Sequence, residues 1–407
     1  MPTSANLNLY SKDYLAFWYL WISRIFIVSG FQIICLALSW QMYMLTHNAF
    51  DLGLVGLLQF LPRIFLVLVA GLIVDRFDRR KIIAITLTIQ ALISFILILA
   101  SIDIFTISKG LILSFSILIG ICSTFDMPAM ASLLPDIVPK NMLSKAIAAA
   151  SSARQIATIA APALGGLLYS FGAGFTYTIT FLSYVIGIVF ILLVPKVIKL
   201  VKNPDINIKA MLLGIDYIFK RKDILGAISL DLFVVLLGGA TALLPIFAHD
   251  ILHISTFGLG VLRSAPAVGA LLMSLYLIKF PMKTKVGKKM FIAVCIFGIS
   301  TIFFGLSSSY LLSFLSLIIL GASDMISVVI RTSFIQLNTP PEMRGRVNSV
   351  NSLFIGASNQ LGEFESGVTA DWWGAKAAVV IGGVGTFAIA VAWMKLFPSL
   401  LKRDTLE

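Results

Sequence analysis

Charged side chains interrupt the long apolar stretches of this 407-residue sequence. An ionisable group at the centre of a lipid bilayer costs roughly 2.5–3.5 kcal/mol on insertion scales, so such groups normally face a bundle interior or a water-filled cavity. There they can bind a charged solute, carry a proton or form a structural ion pair. The candidates are Arg24, Asp126, Arg154, Asp231, Arg263, Asp324, Arg331, Glu363 and Glu365.

The spacing of these charges predicts which of them share a surface. Arg24, Asp126 and Arg154 come from three different apolar stretches at comparable depth, so we expect a charge cluster. Structural ion pairing and transport are both open roles for it. Asp324 and Arg331 are seven residues apart, which is about two helical turns, and therefore lie on one face of a helix.

Glu363 is the favoured proton carrier. It is two residues from Glu365, so on a helix the two carboxylates point in different directions and only one can face a central cavity. Asn359 lies one turn before Glu363, and Gln360 follows Asn359, so polar groups gather there. The alternative is a structural carboxylate paired with an arginine such as Arg331.

The composition requires a membrane environment for these charges. Hydrophobic residues make up 59% of the chain and charged residues 12%, which does not fit a water-soluble surface. A membrane-spanning helix needs about 20 apolar residues. Twelve apolar runs predict an all-α membrane protein with helices at residues 15–45, 51–75, 82–101, 108–134, 144–170, 174–195, 223–248, 256–281, 288–307, 311–337, 345–369 and 376–398.

Basic residues alternate between successive breaks. The breaks after odd-numbered helices contain only Lys109 and Lys376, whereas those after even-numbered helices hold many basic residues, among them Arg76, Arg79, Arg80, Lys81, Lys140, Lys283, Lys285, Lys288, Lys289, Arg344 and Arg346. Cytoplasmic loops are enriched in Lys and Arg. This pattern predicts that both termini are cytoplasmic in a bacterial inner membrane, and it explains the net charge of +12 without a nucleic-acid partner.

The longest polar interval divides the chain into halves. Residues 1–195 and 223–407 are each predicted to form a six-helix bundle, joined by a cytoplasmic linker at 196–222 that contains a short amphipathic helix near 210–219. Residues 120–145 and 321–346 align weakly at a constant offset, which indicates an internal repeat. Two bundles related by such a repeat are typical of transporters with a substrate site between them.

The segment GLIVDRFDRRK at the end of the second predicted helix resembles motif A of the major facilitator superfamily. Asp78 stands where that motif usually has glycine. The resemblance implies a conformational latch that favours one of two access states, and a positive-inside loop with a chance aspartate is the alternative. The matching positions are Gly71, Asp75, Arg76, Arg79, Arg80 and Lys81.

Two further segments carry the resemblance. The run AAPALGG, with Pro162, Gly165 and Gly166, resembles the antiporter motif C with alanine in its usual glycine position, although a packing kink without directional meaning is the alternative. The run SVVIRTSFIQLNTPPEMRGRVNSVNSLFIGASNQLGEFESG is similar to the enterobactin-exporter-like, siderophore-efflux branch, and the likeness spans essentially the full chain.

The sequence thus predicts a secondary transporter that exports a siderophore-like or amphipathic small molecule by proton antiport and alternating access. Multidrug or macrolide efflux and a lysophospholipid flippase are alternatives, and a non-transporting receptor is the alternative from another class. We expect a monomer in a lipid bilayer, with a small solute and protons as partners. Three dispersed cysteines, and no P-loop or nucleophile triad, indicate neither enzyme chemistry nor a cofactor or metal site.

Overall fold

The computed structural model describes residues 12–138, 142–196, 215–282 and 284–405. Long helices dominate these residues, and no strand occurs in the described ranges. Most of the predicted linker, residues 197–214, lies outside them, whereas residues 215–220 are helical. The long helices are α1 (Lys12–Thr46), α2 (Ala49–Arg76), α3 (Arg79–Ser101), α4 (Lys109–Ile137), α5 (Leu143–Ser170), α6 (Ala173–Leu193), α7 (Lys222–Leu237), α8 (Thr256–Lys279), α9 (Val286–Leu306), α10 (Tyr310–Leu337), α11 (Pro341–Trp373) and α12 (Ala375–Leu396).

Ten of the helical segments in the described residues are long and apolar enough to cross a membrane. The long helices α5 and α11 are not among them; each carries charged residues together with many small or polar ones. Large apolar side chains on the outside fit a lipid environment: Phe65 is 71% exposed and Ile278 is 79% exposed. The chain is therefore an all-helical, multi-pass membrane protein.

Two predicted helices differ from the observed ones. The helix expected at 223–248 ends at Leu237, and a 3₁₀ turn (Ala240–Leu243), a short α-helix (Leu244–Ile246) and a π-helix (Phe247–Ile251) follow it. Gly238 and Gly239 disfavour a continuous helix, and Gly239 lies against the Gly362 backbone of α11, where a side chain would not fit. Helix α11 begins at Pro341, so Arg344 and Arg346 lie in its first turns rather than in a loop.

The two ends of the molecule are distinguished by their charge. The basic end carries the α2–α3 connection, where Arg80 donates a hydrogen bond to the Val194 carbonyl after α6. The far end carries the α1–α2 connection at His47 and Asn48. Here the Lys109 ammonium pairs with the Asp51 carboxylate at 2.5 Å.

Helix packing groups the first six helices and, separately, the helices from α7 onward. Helix α1 packs on α5 and α6, α3 packs on α4 and α6, and α2 packs on α4. Among the later helices, α10 packs on α8 and α9, and α12 packs on α9 and α7. The two groups meet where α5 contacts α8, where α2 contacts α11, and where α1 and α2 contact the segment 240–251. We call this meeting surface the seam.

Candidate transport site at the seam

At the far end, α1 is tied to the π-helix that follows α7. The Tyr43 hydroxyl donates a hydrogen bond to Asp250 Oδ2, and His249 Nδ1 lies 2.5 Å from Asp250 Oδ1. The rings of Trp40 and His47 contact the His249 ring, with centroids 6.1 and 5.9 Å apart. These five residues, Trp40, Tyr43, His47, His249 and Asp250, are called the far-end clasp.

Small residues bring α5 against α8 in the same half of the seam. The backbone of Gly166 leaves no room for a side chain beside the Thr256 carbonyl, and a Cβ at Gly166 would be 3.0 Å from the Gly260 Cα. Gly260 lies against the Pro162 carbonyl in turn. Gly165 faces α1, where a Cβ would be 3.3 Å from the Ile33 Cα. Close backbone approach of this kind is how helices associate in lipid.

Helix α2 meets α11 in a similar way. A Cβ at Gly53 would lie 3.0 Å from the Phe364 carbonyl oxygen, and the Phe50 and Phe364 rings are in edge contact at 5.8 Å. One turn deeper, a Cβ at Gly56 would be 2.6 Å from Glu363 Oε2. The absence of a side chain at Gly56 therefore provides the space that the Glu363 carboxylate occupies.

The partner of Glu363 differs from the expected one. Glu363 interacts electrostatically with Arg263 of α8, and the buried Cys35 of α1 lies within range of both charges. Gln360 Oε1 is buried without a hydrogen-bond partner. Arg331 is not the partner, because it pairs with Asp231; a structural carboxylate paired with an arginine stays an alternative, with Arg263 as that arginine. The seam thus holds an opposite-charge set contributed by α8 and α11.

Arg331 belongs to a separate cluster among the later helices. Its Nη1 pairs with Asp231 Oδ1 of α7 at 2.7 Å, and both side chains are almost fully buried. Asp324 lines the same small cavity with Ser323 and Ser327 of α10. The prediction that Asp324 and Arg331 share one face of a helix is consistent with this cavity. A buried pair of this kind is costly to break from one side.

Asp126 is bound inside the first six helices. Thr86 and Gln90 of α3 both donate hydrogen bonds to its carboxylate, the latter at 2.9 Å. Its recorded partners are thus neutral groups rather than the arginines of the expected cluster. Arg24 and Arg154 do lie within electrostatic range of each other. On α11, Asn359 is exposed and donates to the Ile355 carbonyl, and Glu365 is half-buried.

The motif A residues connect helices at the basic end. Arg79 pairs with Asp136 of α4 and donates to the Ser132 carbonyl, while Asp75 lies 3.8 Å from Arg79. Gly71 lies one turn before Asp75, and Arg76 and Lys81 are exposed. Asp75 is the motif's less constrained carboxylate, because 38% of its side chain is exposed.

Asp78 has a structural role in the same connection. Its side chain accepts a hydrogen bond from the Arg80 backbone and caps α3. The Arg80 guanidinium donates to it as well, and this bond holds the pKa of Asp78 below its usual range. An aspartate in the usual glycine position therefore fits here as an N-cap.

Sequence reasoning missed two residues at the seam, Arg63 and Asp250, and a third, Gln59, that contacts α1. A side chain at Gly356 of α11 would lie 3.8 Å from Arg63 Nη1, so Arg63 reaches across from α2. Arg63 lies within an apolar run of the sequence, and the same signal identified the other charged candidates. Gln59, which accepts a weak hydrogen bond from the Cys35 thiol at 3.5 Å, and Asp250 carried no comparable signal.

The assignment to a family follows from the whole chain. Residues 11–404 match the family model described as transmembrane secretion effector, within the major facilitator superfamily. The chain belongs to this family. Members of the secretion effector family are transporters, so the protein is a transporter and not an enzyme. The nucleoside transporter NupG, a solved structure, superimposes with a TM-score of 0.70 at 15% identity over 95% of this chain and 99% of NupG, which shows the major facilitator fold.

Three relatives with named activities are similar to this transporter over nearly their full length. The staphyloferrin A transporter of Staphylococcus aureus is 23% identical over 94% of each chain. The macrolide efflux protein A of Streptococcus pyogenes is 26% identical over 95% of this chain and 96% of its own. The enterobactin exporter EntS of Citrobacter koseri is 23% identical over 95% of this chain and 89% of its own. The expected resemblance to enterobactin-exporter-like transporters is confirmed.

Proposed function

We propose that the protein exports a siderophore-like or other amphipathic small molecule from the cytoplasm, driven by proton entry. The observation that carries this proposal is the Glu363 carboxylate, which lies at the seam beside Gly56 of the first six helices and in electrostatic range of Arg263. A titratable group at the surface where two helix groups meet can couple a proton to their relative movement.

The proposed architecture is twelve membrane spans in two six-helix bundles, residues 1–195 and 223–407, joined by the cytoplasmic linker 196–222. Here α5 and α11 complete the set of spans, because the packing of each against neighbouring helices covers its small and polar residues. The basic end faces the cytoplasm of a bacterial inner membrane, with both termini on that side. The unit is a monomer, since one chain supplies both sides of the seam.

The contacts of the seam support a state that is closed toward the outside. The far-end clasp, the Gly166–Gly260 approach and the Gly53–Phe364 approach all lie in the far half of the helices. In this state the solute enters from the cytoplasm. Movement of one bundle against the other then opens the far end, as alternating access requires.

Glu363 is the proposed proton carrier. With the far end open, its carboxylate binds a proton from the outside and becomes neutral. With the basic end open, it releases the proton to the cytoplasm and regains the favourable interaction with Arg263. The charge of the seam changes by one unit at each step, and the balance between the two states shifts with it.

Motif A is the proposed latch of the state in which the basic end is closed. Asp75 is partly exposed at the basic end of α2, from which it can reach the N-terminus of a helix in the other bundle when the basic end closes. Arg79 and Arg80 hold the α2–α3 connection in place through Asp136 and Val194. In the helix α5 motif, Pro162, Gly165 and Gly166 form the close contacts on which α5 moves.

The class of solute rests on the relatives. Siderophore export is favoured by the staphyloferrin A transporter and the enterobactin exporter, and macrolide efflux is the second candidate, because macrolide efflux protein A has the highest identity of the three at 26%. A lysophospholipid flippase and a non-transporting receptor are the remaining alternatives, and neither has support among these relatives.

Reconstitution tests the proposal directly. The purified chain in proteoliposomes is supplied with staphyloferrin A, enterobactin or erythromycin, and an imposed pH gradient provides the driving force. We expect uphill movement of one probe that a protonophore abolishes. Equal movement with and without the gradient would reject proton coupling. No movement of any probe above protein-free liposomes would argue against siderophore and macrolide export.

A further inference from the structure

Two arginines near the middle of α1 and α5 lie side by side. The Trp21 indole donates a hydrogen bond to the Ala149 carbonyl at 3.1 Å, and Gly165 meets Ile33 further along the same two helices. These contacts set the register of the parallel pair: Arg24 lies three residues after Trp21, and Arg154 lies five residues after Ala149. Arg24 and Arg154 are therefore level with each other.

No acidic group in the described part of the chain forms an ion pair with either arginine. Within the ranges that the structure describes, neither guanidinium has an ion pair, whereas Arg79, Arg80 and Arg331 each have a carboxylate partner. Asp126, the acid that the sequence predicted beside them, instead accepts hydrogen bonds from Thr86 and Gln90. The Arg24 side chain is partly buried and Arg154 is exposed. Two like charges side by side repel each other, so an anion bound between them is favourable.

A third arginine extends the positive charge along the seam. Arg63 of α2 lies against Gly356 of α11, and its recorded contact is the Met127 sulfur at 3.3 Å rather than a carboxylate. In contrast, Asp126, Asp231 and Asp324 are held within one helix group or the other. Among the acids that the sequence marked, Glu363 is the one that the described contacts place at the seam, and Asp250 of the far-end clasp is a further carboxylate there.

We propose that Arg24 and Arg154 form a binding subsite for an oxyanion, and that the oxyanion is a carboxylate of the transported solute. This inference rests on the proposed function and narrows it to an anionic solute. A guanidinium binds a carboxylate through two parallel hydrogen bonds, so two adjacent arginines suit a polycarboxylate. The membrane potential, negative inside, favours export of such an anion.

Binding of radiolabelled citrate, a small polycarboxylate, to the purified full-length protein in neutral detergent tests the subsite. We expect Arg24→Gln and Arg154→Gln each to weaken citrate binding about tenfold or more, because each removes a charge-assisted hydrogen-bond pair. Arg24→Lys should retain part of the affinity. Arg221→Gln, the same change at an exposed arginine before α7, should leave binding unchanged. A citrate affinity that is equal in wild type and both glutamine variants would overturn the proposal.

The phosphate of a lipid headgroup is also an oxyanion that two arginines can bind, so a second experiment distinguishes it from a solute carboxylate. Thermal unfolding is compared in nanodiscs of phosphatidylglycerol and of phosphatidylcholine. If wild type fails to bind citrate, and phosphatidylglycerol stabilises it but not Arg24→Gln or Arg154→Gln, the oxyanion is a headgroup and the solute subsite is rejected. Size-exclusion profiles identify a glutamine variant that fails to fold. In that case citrate binding and stabilisation by phosphatidylglycerol are measured on Arg24→Lys and Arg154→Lys instead.

The same preparations separate this inference from the proposed function. If wild type accumulates erythromycin against its concentration gradient when a pH gradient is imposed, but binds no citrate, the anion subsite is rejected and proton-driven export stands. Wild type that binds citrate through Arg24 and Arg154 but moves no probe would support the subsite and argue against the proposed export.

Discussion

The Tyr43 hydroxyl of α1 donates a hydrogen bond to the Asp250 carboxylate of the π-helix after α7. This bond joins the two helix groups at the far end, although six long helices, α2 to α7, lie between the two residues along the chain. His249 lies against the second oxygen of the same carboxylate. The bond therefore stabilises the state in which the far end is closed.

Removal of that bond should shift the protein toward an open far end. We expect Tyr43→Phe to increase the labelling rate of Cys35 by an impermeant maleimide in intact cells about tenfold, because a hydrogen bond to a charged group contributes about 1.5–3 kcal/mol. Cys35 is buried beside the seam, and the test uses a background without Cys122 and Cys295. Tyr310→Phe, at the far end of α10, is the matched control. Unchanged labelling of Cys35 would show that the clasp does not hold this end shut.

The alternating loop charges predict the sidedness of the chain. Thr284 lies at the basic end and Ser308 at the far end, and both are exposed. In a background without native cysteines, an impermeant reagent added to intact cells should label Ser308→Cys and not Thr284→Cys, and inside-out vesicles should give the reverse. Labelling of both positions from the same side would contradict the proposed topology.

Asp75→Asn should slow transport without preventing membrane insertion. The neutral amide weakens any interaction of Asp75 with a helix N-terminus of the other bundle, an interaction that typically contributes about 0.3–1 kcal/mol. Transport by proteoliposomes is expected to fall about two- to fivefold at equal protein content. Asp103→Asn makes the same change in the far-end α3–α4 connection and should have no effect. Full activity of Asp75→Asn would leave motif A here as a structural connection only.

Glu363→Gln should separate solute movement from proton movement. The amide keeps the shape that fits beside Gly56 but cannot bind and release a proton, so uphill transport driven by a pH gradient should disappear while downhill solute exchange persists. Both processes are measured in the same proteoliposomes with the probe that wild type transports.

Two other acids serve as comparisons for Glu363. Asp126→Asn and Asp324→Asn alter carboxylates held within one helix group, and we expect uphill transport to persist in both. Loss of uphill and downhill movement together in Glu363→Gln would instead indicate a structural or solute-binding acid. Uphill transport retained by Glu363→Gln would exclude it as the proton carrier.

That the chain is all-helical and crosses the membrane several times was predictable from the sequence alone. A helix that must bury its backbone in lipid needs a continuous apolar run, so the polar breaks reveal where each helix ends. One helix is an exception: the run at 223–248 is predominantly apolar, yet the helix stops at Leu237. Gly238 and Gly239 were visible, but the close approach of Gly362 that makes use of them is a contact between distant parts of the chain.

The pairing of the charges was decided by the tertiary structure. The sequence marked Arg263, Arg331, Asp126 and Glu363 as functional candidates, because a charge in lipid is costly wherever it occurs. It could not show that Arg331 pairs with Asp231, that Asp126 is bound by Thr86 and Gln90, or that Glu363 lies within electrostatic range of Arg263. Such partners lie on helices far apart in the chain, and helical periodicity specifies the face of one helix but not the helix that packs against it.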